Sequence, residues 1–177
     1  TREELLTFIR WRFDRYSNYE ELMPCKGFDD KVILDYGCGQ RHDVIGFVEY
    51  SKPKKVIAMD VSSTSLEETK KRIALHNATE YTELSLIKEN EILLIQDNSI
   101  DYIHSSGVLH HTPNMPDILT EFRRILKPNG IIRIMIYNYE SIWTHLYVPY
   151  ILQIKQNLYR DLSLNEAFKR RARPSIL

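Results

Sequence analysis

Two short apolar runs, each stopping on an aspartate, limit what this chain can fold into more than any other feature. Val32, Ile33 and Leu34 lead to Asp35 and into a turn of Tyr36, Gly37, Cys38 and Gly39. About twenty residues beyond that turn, Val56, Ile57, Ala58 and Met59 lead to Asp60. Unbroken apolar runs of this length suit strands buried on both faces, as in a parallel sheet, and the glycines mark a tight turn at the end of the first.

The intervening and following segments read as helices alternating with further strands. Asp43 to Tyr50 suits a helix, and Ser62 to Ser65 offer N-caps ahead of Leu66 to Leu75. Thr64 with Glu67 and Ser65 with Glu68 both have capping-box spacing. Leu84 to Lys88 reads as a third strand, Ile100 to Ser105 as a fourth and Met115 to Leu126 as a helix; Ile131 to Tyr137 is the fifth strand, beyond a turn of Lys127, Pro128, Asn129 and Gly130. The alternation predicts an α/β fold: a Rossmann-like, doubly wound, mainly parallel sheet with helices on both faces and right-handed crossovers.

The flanks differ in texture. Leu5, Leu6, Phe8, Ile9, Phe13 and Tyr16 fall near helical spacing before Pro24 and Gly27, which predicts an amphipathic opening helix. After Tyr137, a row from Trp143 through Leu146, Tyr147, Tyr150, Ile151 and Ile154 to Leu158 also has helical spacing, with Pro149 expected to kink or break it. Three regions result: a helical segment over 1–30, the core over 31–138 and an aromatic-rich helical segment over 139–177. The aromatic row reads as a substrate lid, a membrane-facing face, a homodimer contact or cover for the core.

Composition narrows the function classes. With 177 residues, 43% of them apolar, the chain can bury one sizeable domain. Its 24 basic and 24 acidic residues cancel, which removes the field that would draw it to nucleic acid or anionic lipid, although Lys169 to Arg173 form a local basic run. No stretch reaches the roughly 18 apolar residues of a membrane span, and Arg2, Glu3 and Glu4 stand where a signal peptide would be apolar. Cys25 and Cys38 are too few for a disulfide framework, so a cytoplasmic location is expected, with no integral membrane segment. The start at Thr1 and the ending on Pro174 to Leu177 suggest a piece of something longer.

In open parallel sheets ligands bind beyond the carboxyl ends of the strands, where Asp35, the glycine turn and Asp60 would meet. Gly37 and Gly39 let backbone approach a ligand closely, and Asp60 could accept two hydrogen bonds from a ribose diol, or simply cap the next helix. A nicotinamide-dinucleotide site shares this layout but usually has a third glycine facing a pyrophosphate, where Arg41 and His42 stand here. An acid two residues before the first glycine suits a ligand with an ammonium group better than a diphosphate.

These runs also carry a family resemblance. VILDYGCG resembles the first motif of the class I S-adenosylmethionine-dependent methyltransferases, VIAMDVS resembles their second, and DNSIDYIHSSGVLHHTPN with ILTEFRRILKPNG resembles their fourth-strand signature; the likeness is to the type 11, small-molecule branch and spans about Lys31 to Asn138. The resemblance implies S-adenosylmethionine as cofactor and a small-molecule methyl acceptor. It places Asp35, Gly37, Cys38 and Gly39 along the methionine portion, Asp60 on the ribose and Val61 on the adenine. It puts Glu89 or Asn90 near the adenine amino group, and Ser105 and Ser106 where carbonyl groups meet the methionine ammonium. It further implies a final antiparallel strand pair, which the chain stops short of.

Methyl transfer from a sulfonium requires an acceptor held in line and no metal. For a hydroxyl or protonated-amine acceptor, His110 and His111 are candidate bases, or they pack or cap locally. Tyr137 could orient the acceptor or pack in the core. His104, His110 and His111 are close in sequence, but strand alternation and the turn are expected to scatter their rings, so no metal is predicted. A domain that binds the cofactor without turnover, and a nicotinamide-dinucleotide oxidoreductase, are the alternatives.

Overall fold

In the computed structural model, which describes residues 1–4, 6, 7, 10, 18–40, 43–88, 92–138 and 140–172, both apolar runs are central strands. The described chain forms two compact units, Thr1–Ile136 and Tyr137–Leu177. In the first, β1 (Val32–Tyr36), β2 (Lys55–Asp60), β3 (Thr82–Leu86), β4 (Ile100–Ser106) and β5 (Leu126–Met135) form one sheet in the order β3-β2-β1-β4-β5. Every neighbouring pair is parallel. The order reverses between β1 and β4, the kind of switch point beyond whose carboxyl ends open parallel sheets bind ligands.

Each central strand feeds two cores. Ile33, Val56, Ala58 and Tyr102 pack on one face with Val44, Ile45 and Phe47 of α2 (Asp43–Tyr50) and Leu66 and Ile73 of α3 (Ser63–Leu75). Leu34, Ile57, Met59 and Ile103 pack on the other face with Phe122 and Ile125 of α4 (Met115–Ile125). Period-2 alternation with both sides covered is why these strands read as continuous apolar runs.

Of the opening helix, Leu5, Phe8, Ile9, Phe13 and Tyr16 lie outside the described residues, while Arg2, Glu3, Glu4, Leu6, Thr7 and Arg10 are helical. Asn18 is left-handed (φ 62°), and a short helix, α1 (Tyr19–Leu22), starts after it. The N-cap of α3 is Ser62, whose hydroxyl accepts from Ser65 N. Neither predicted capping box forms there, because the third helical residue is a serine. A capping box does form ahead of α5 (Leu164–Ala172), where Ser163 N donates to Glu166 Oε2 and Glu166 N to Ser163 Oγ.

Two strand boundaries also move. The third strand is Thr82–Leu86, two residues earlier than predicted. Leu126 to Gly130, expected as the end of a helix and a turn, belong to β5: Ile100 pairs with Leu126 and Tyr102 with Ile131, so the extra residues bulge out of the ladder. Helix α4 thus runs into β5 with no linker. Gly130 fits because a Cβ there would press on Leu126 and on the Asp101 carbonyl.

No described residue between Ile87 and Ser99 is helical. Arg124 of α4 fastens that connection instead, donating to the carbonyls of Leu93 and Ile95 and to the carboxylates of Asp97 and Glu121. In the second unit a π-type helix spans Trp143–Lys155 with Pro149 inside it, rather than breaking there. Val148 and Leu152 pack on Ala167 of α5, while Leu146, Tyr150, Ile154 and Leu158 are exposed. No helix among the described residues is long and apolar enough to cross a membrane.

Asp101, opposite the bulge, accepts from Val32 N at 2.9 Å and from Lys127 Nζ at 2.8 Å. Burial pushes its carboxyl up, but Lys127 and the Val32 amide outweigh that and hold it below the usual carboxylate range. A depressed folded pKa contributes stability above the unfolded value that is lost as pH falls through the folded one. The stability advantage of the native protein over Asp101→Asn should therefore be full above about pH 5 and shrink below about pH 4, measured by urea unfolding across pH.

Candidate active site

The turn after β1 hangs from the end of β2. Gly37 N and Cys38 N both donate to Met59 O, at 2.8 and 2.9 Å, and Gly39 N donates to Asp60 Oδ2 at 2.7 Å. From the other side, Thr69 Oγ1 of α3 donates to Gly39 O. Three consecutive amides of the turn are thus spent on protein partners. Gly37 (φ 73°) and Gly39 (φ 53°) adopt the left-handed backbone that this path requires. At Gly37 a Cβ would also run into the Val108 side chain.

Asp60 is a clamp with capacity to spare. Its Oδ2 takes Gly39 N and its Oδ1 takes Ser62 N at 2.8 Å, so it ties the glycine turn to the start of α3. A carboxylate offers about four acceptor directions, and two remain after these bonds. Val61, next to it, is 58% exposed.

Asp35, in β1, is buried between Ala58 and His104 in the register. Cys38 is buried too, and burial, with the negative charges of Asp35, Asp60 and Asp43 nearby, pushes its thiol far up. It therefore stays a neutral thiol. Cys25 and Cys38 are both free. Ser105 and Ser106 end β4 and are buried; Ser105 Oγ donates to Tyr36 O. The structure thus gathers Asp35, Gly37, Cys38, Gly39, Asp60, Ser105 and Ser106 at one pole of the sheet.

Glu89, Asn90, Arg41 and His42 lie outside the described residues. His110 and His111 follow β4 in a 3₁₀ turn, Leu109–His111. Their rings are not scattered from each other as expected: the centroids lie 3.9 Å apart, with the ring planes tilted at 49°. Tyr137 belongs to the second unit and is exposed. No group of three His, Cys, Asp or Glu side chains that could hold a metal occurs among the described residues.

One buried polar group is missed by sequence reasoning. Tyr19 hydroxyl lies 3.2 Å from Ser106 Oγ and 3.5 Å from Asp43 Oδ1, and His104 Nε2 is 3.3 Å from Asp43 Oδ2. Tyr102 hydroxyl then reaches His104 Nδ1 at 3.4 Å. Tyr102, His104 and Ser106 alternate along β4, so a polar residue on the apolar face of a strand is the available signal. Two clefts, of about 270 and about 520 Å³, open on the α4 face. The smaller is lined by Tyr36, Leu93, Asp117 and Glu121, and neither is lined by the glycine turn or Asp60.

A family profile described as a methyltransferase domain matches residues 28–169. The demethylmenaquinone methyltransferase of Geobacillus stearothermophilus is 34% identical over 130 residues, 70% of this chain and 50% of that protein. The mitochondrial arginine-hydroxylase NDUFAF5 of Homo sapiens is 26% identical over 100 residues, 56% of this chain and 27% of that protein. A solved SAM-dependent methyltransferase from Aquifex aeolicus superposes with a TM-score of 0.59 at 19% identity, over 80% of this chain and 75% of that one, a likeness of fold. The chain spans half or less of the length of these two curated relatives.

Left-handed backbone alone and left-handed backbone with a steric wall can be told apart by substitution. Gly27 (φ 86°) has open space where a Cβ would stand, whereas Gly37 faces Val108. Gly27→Ala should cost about 1–2 kcal/mol, and Gly37→Ala about 1–3 kcal/mol more. That excess should shrink without vanishing in a Val108→Ala background, where the two γ-methyl groups are gone but the Cβ remains 2.9 Å away, as read from denaturant midpoints.

Proposed function

The chain belongs to the methyltransferase-domain family, and from that premise we propose that it binds S-adenosylmethionine over the glycine turn and methylates an oxygen, nitrogen or carbon atom of a small molecule. The observation that carries this reading is the division of labour at the turn. Its three amides are spent on β2, while Asp60 keeps two acceptor directions, the number a ribose diol needs. A dinucleotide site would use turn and helix amides for a pyrophosphate, so the spent amides count against the nicotinamide alternative.

In this reading Asp60 holds the ribose hydroxyls, and exposed Val61 packs on the adenine. Asp35 supplies negative charge toward the methionine ammonium, and the carbonyls of Ser105 and Ser106 complete that end. Gly37 and Gly39 bring bare backbone against the ligand, and Cys38 contributes as a neutral buried wall. Glu89 or Asn90 is assigned to the adenine edge. When bound, the cofactor supplies a methyl group activated by a positively charged sulfur. His110 or His111 takes the acceptor proton where the acceptor is a hydroxyl or amine, and Tyr137 is assigned to acceptor orientation. Self-association through the exposed row from Leu146 to Leu158 is part of the same proposal.

A second reading, binding without methyl transfer, is favoured by one finding: a relative of this chain bears the name of an arginine hydroxylase. The same pole of a sheet can serve different chemistries, since function resides in the site and its loops.

Titration calorimetry tests the proposal. S-Adenosylhomocysteine should bind with a dissociation constant on the order of micromolar, and Asp60→Asn, checked for folding by circular dichroism, should weaken it about tenfold or more. Heat with a nicotinamide dinucleotide and none with S-adenosylhomocysteine would overturn the cofactor assignment. Methyl incorporation into a small-molecule acceptor pool separates transfer from binding alone.

A further inference from the structure

Tyr19 joins two elements that flank the switch point between β1 and β4. Ser106 closes β4, and Asp43 opens α2 just beyond the glycine turn. The Tyr19 hydroxyl reaches both, at 3.2 Å to Ser106 Oγ and 3.5 Å to Asp43 Oδ1, from a residue only 4% exposed.

The short helix that carries it is itself fixed. Arg133 of β5 donates to the carbonyls of Glu21 and Leu22, at 3.1 and 3.0 Å, fastening the far end of α1. A phenol hydroxyl this deeply buried costs stability unless it is hydrogen-bonded. Phenylalanine would fill the same space without that demand, so the hydroxyl is what distinguishes this residue.

We infer that Tyr19 is a positioning residue of the cofactor site, acting through Ser106 to set the wall that meets the amino-acid end of the ligand. The inference rests on the reading that S-adenosylmethionine lies over this turn with its amino-acid end toward Ser105 and Ser106. The role assigned to Tyr19 is indirect, through Ser106 and Asp43. It holds the end of β4 against the start of α2, so the Ser106 carbonyl keeps one position, and misplacing it weakens recognition of the ammonium and carboxylate while sparing the nucleoside.

The test compares two ligands on the intact protein. S-Adenosylhomocysteine carries the amino-acid end; 5′-methylthioadenosine has the nucleoside and sulfur without it. Tyr19→Phe and Ser106→Ala should each weaken S-adenosylhomocysteine about fivefold to tenfold and leave 5′-methylthioadenosine within about twofold, by calorimetry. The double variant should bind no more weakly than either single one, because both remove one connection. Unchanged S-adenosylhomocysteine affinity, equal losses for both ligands, or additive losses in the double variant would each overturn the inference. Should Tyr19→Phe fail to fold, Ser106→Ala alone carries the two-ligand comparison with the same criteria. A native protein that binds no S-adenosylhomocysteine would sink the cofactor reading itself, a result separate from any difference between variants.

Discussion

Parallel topology brings the glycine turn, the end of β2 and the start of α3 to one pole of the sheet without aligning them. The Asp60 carboxylate does that, through Gly39 N on one oxygen and Ser62 N on the other. Hydrogen bonds to a charged group are worth about 1.5–3 kcal/mol each, enough to hold Gly39 at a left-handed backbone angle. The clamp is complete in the protein alone. A ligand arriving at this pole meets a turn already ordered, so less conformational freedom has to be lost on association.

The site also depends on the two faces of the sheet being filled differently. On the α2 and α3 face the alternation passes from apolar side chains to Asp35, His104 and Ser106 as the strands approach their carboxyl ends. That is where the core gives way to polar contacts with Tyr19 and Asp43. The α4 face ends on one polar residue, Ser105, whose hydroxyl donates to Tyr36 O, and is otherwise apolar there, with the Tyr36 ring edge-on to Phe122 at 5.1 Å. Over the segment from Leu93 to Asp97, Arg124 supplies hydrogen bonds that a helix would have made internally.

Residues that act where they stand are legible in the sequence. Strands covered on both faces must be apolar throughout, so the aspartates ending β1 and β2, and the glycines after β1, stand out. The Tyr19 connection is not legible, because it links residues 87 apart and each reads alone as ordinary. Ser62 is one of four candidate caps for α3, and the capping-box spacing of Thr64 with Glu67 and of Ser65 with Glu68 points past it. Lys127, Pro128, Asn129 and Gly130 look like a linker because the residues that shape a bulge are those that shape a turn. Nor does any residue preference announce the 3₁₀ turn that carries His110 and His111, or the 3.9 Å between their ring centroids.

The bulge in β5 lies at the amino-terminal end of the strands, the pole opposite the glycine turn. Its residues are outside the ladder, while Leu126 before them and Ile131 after them keep their partners. Length can therefore change between Pro128 and Asn129 without sliding β5 along β4, as long as Lys127 keeps its pair with Asp101 and Gly130 its place against Leu126 and the Asp101 carbonyl. For engineering, this makes the bulge a natural port: a short peptide tag or reporter inserted there would be carried by the sheet, remote from the glycine turn.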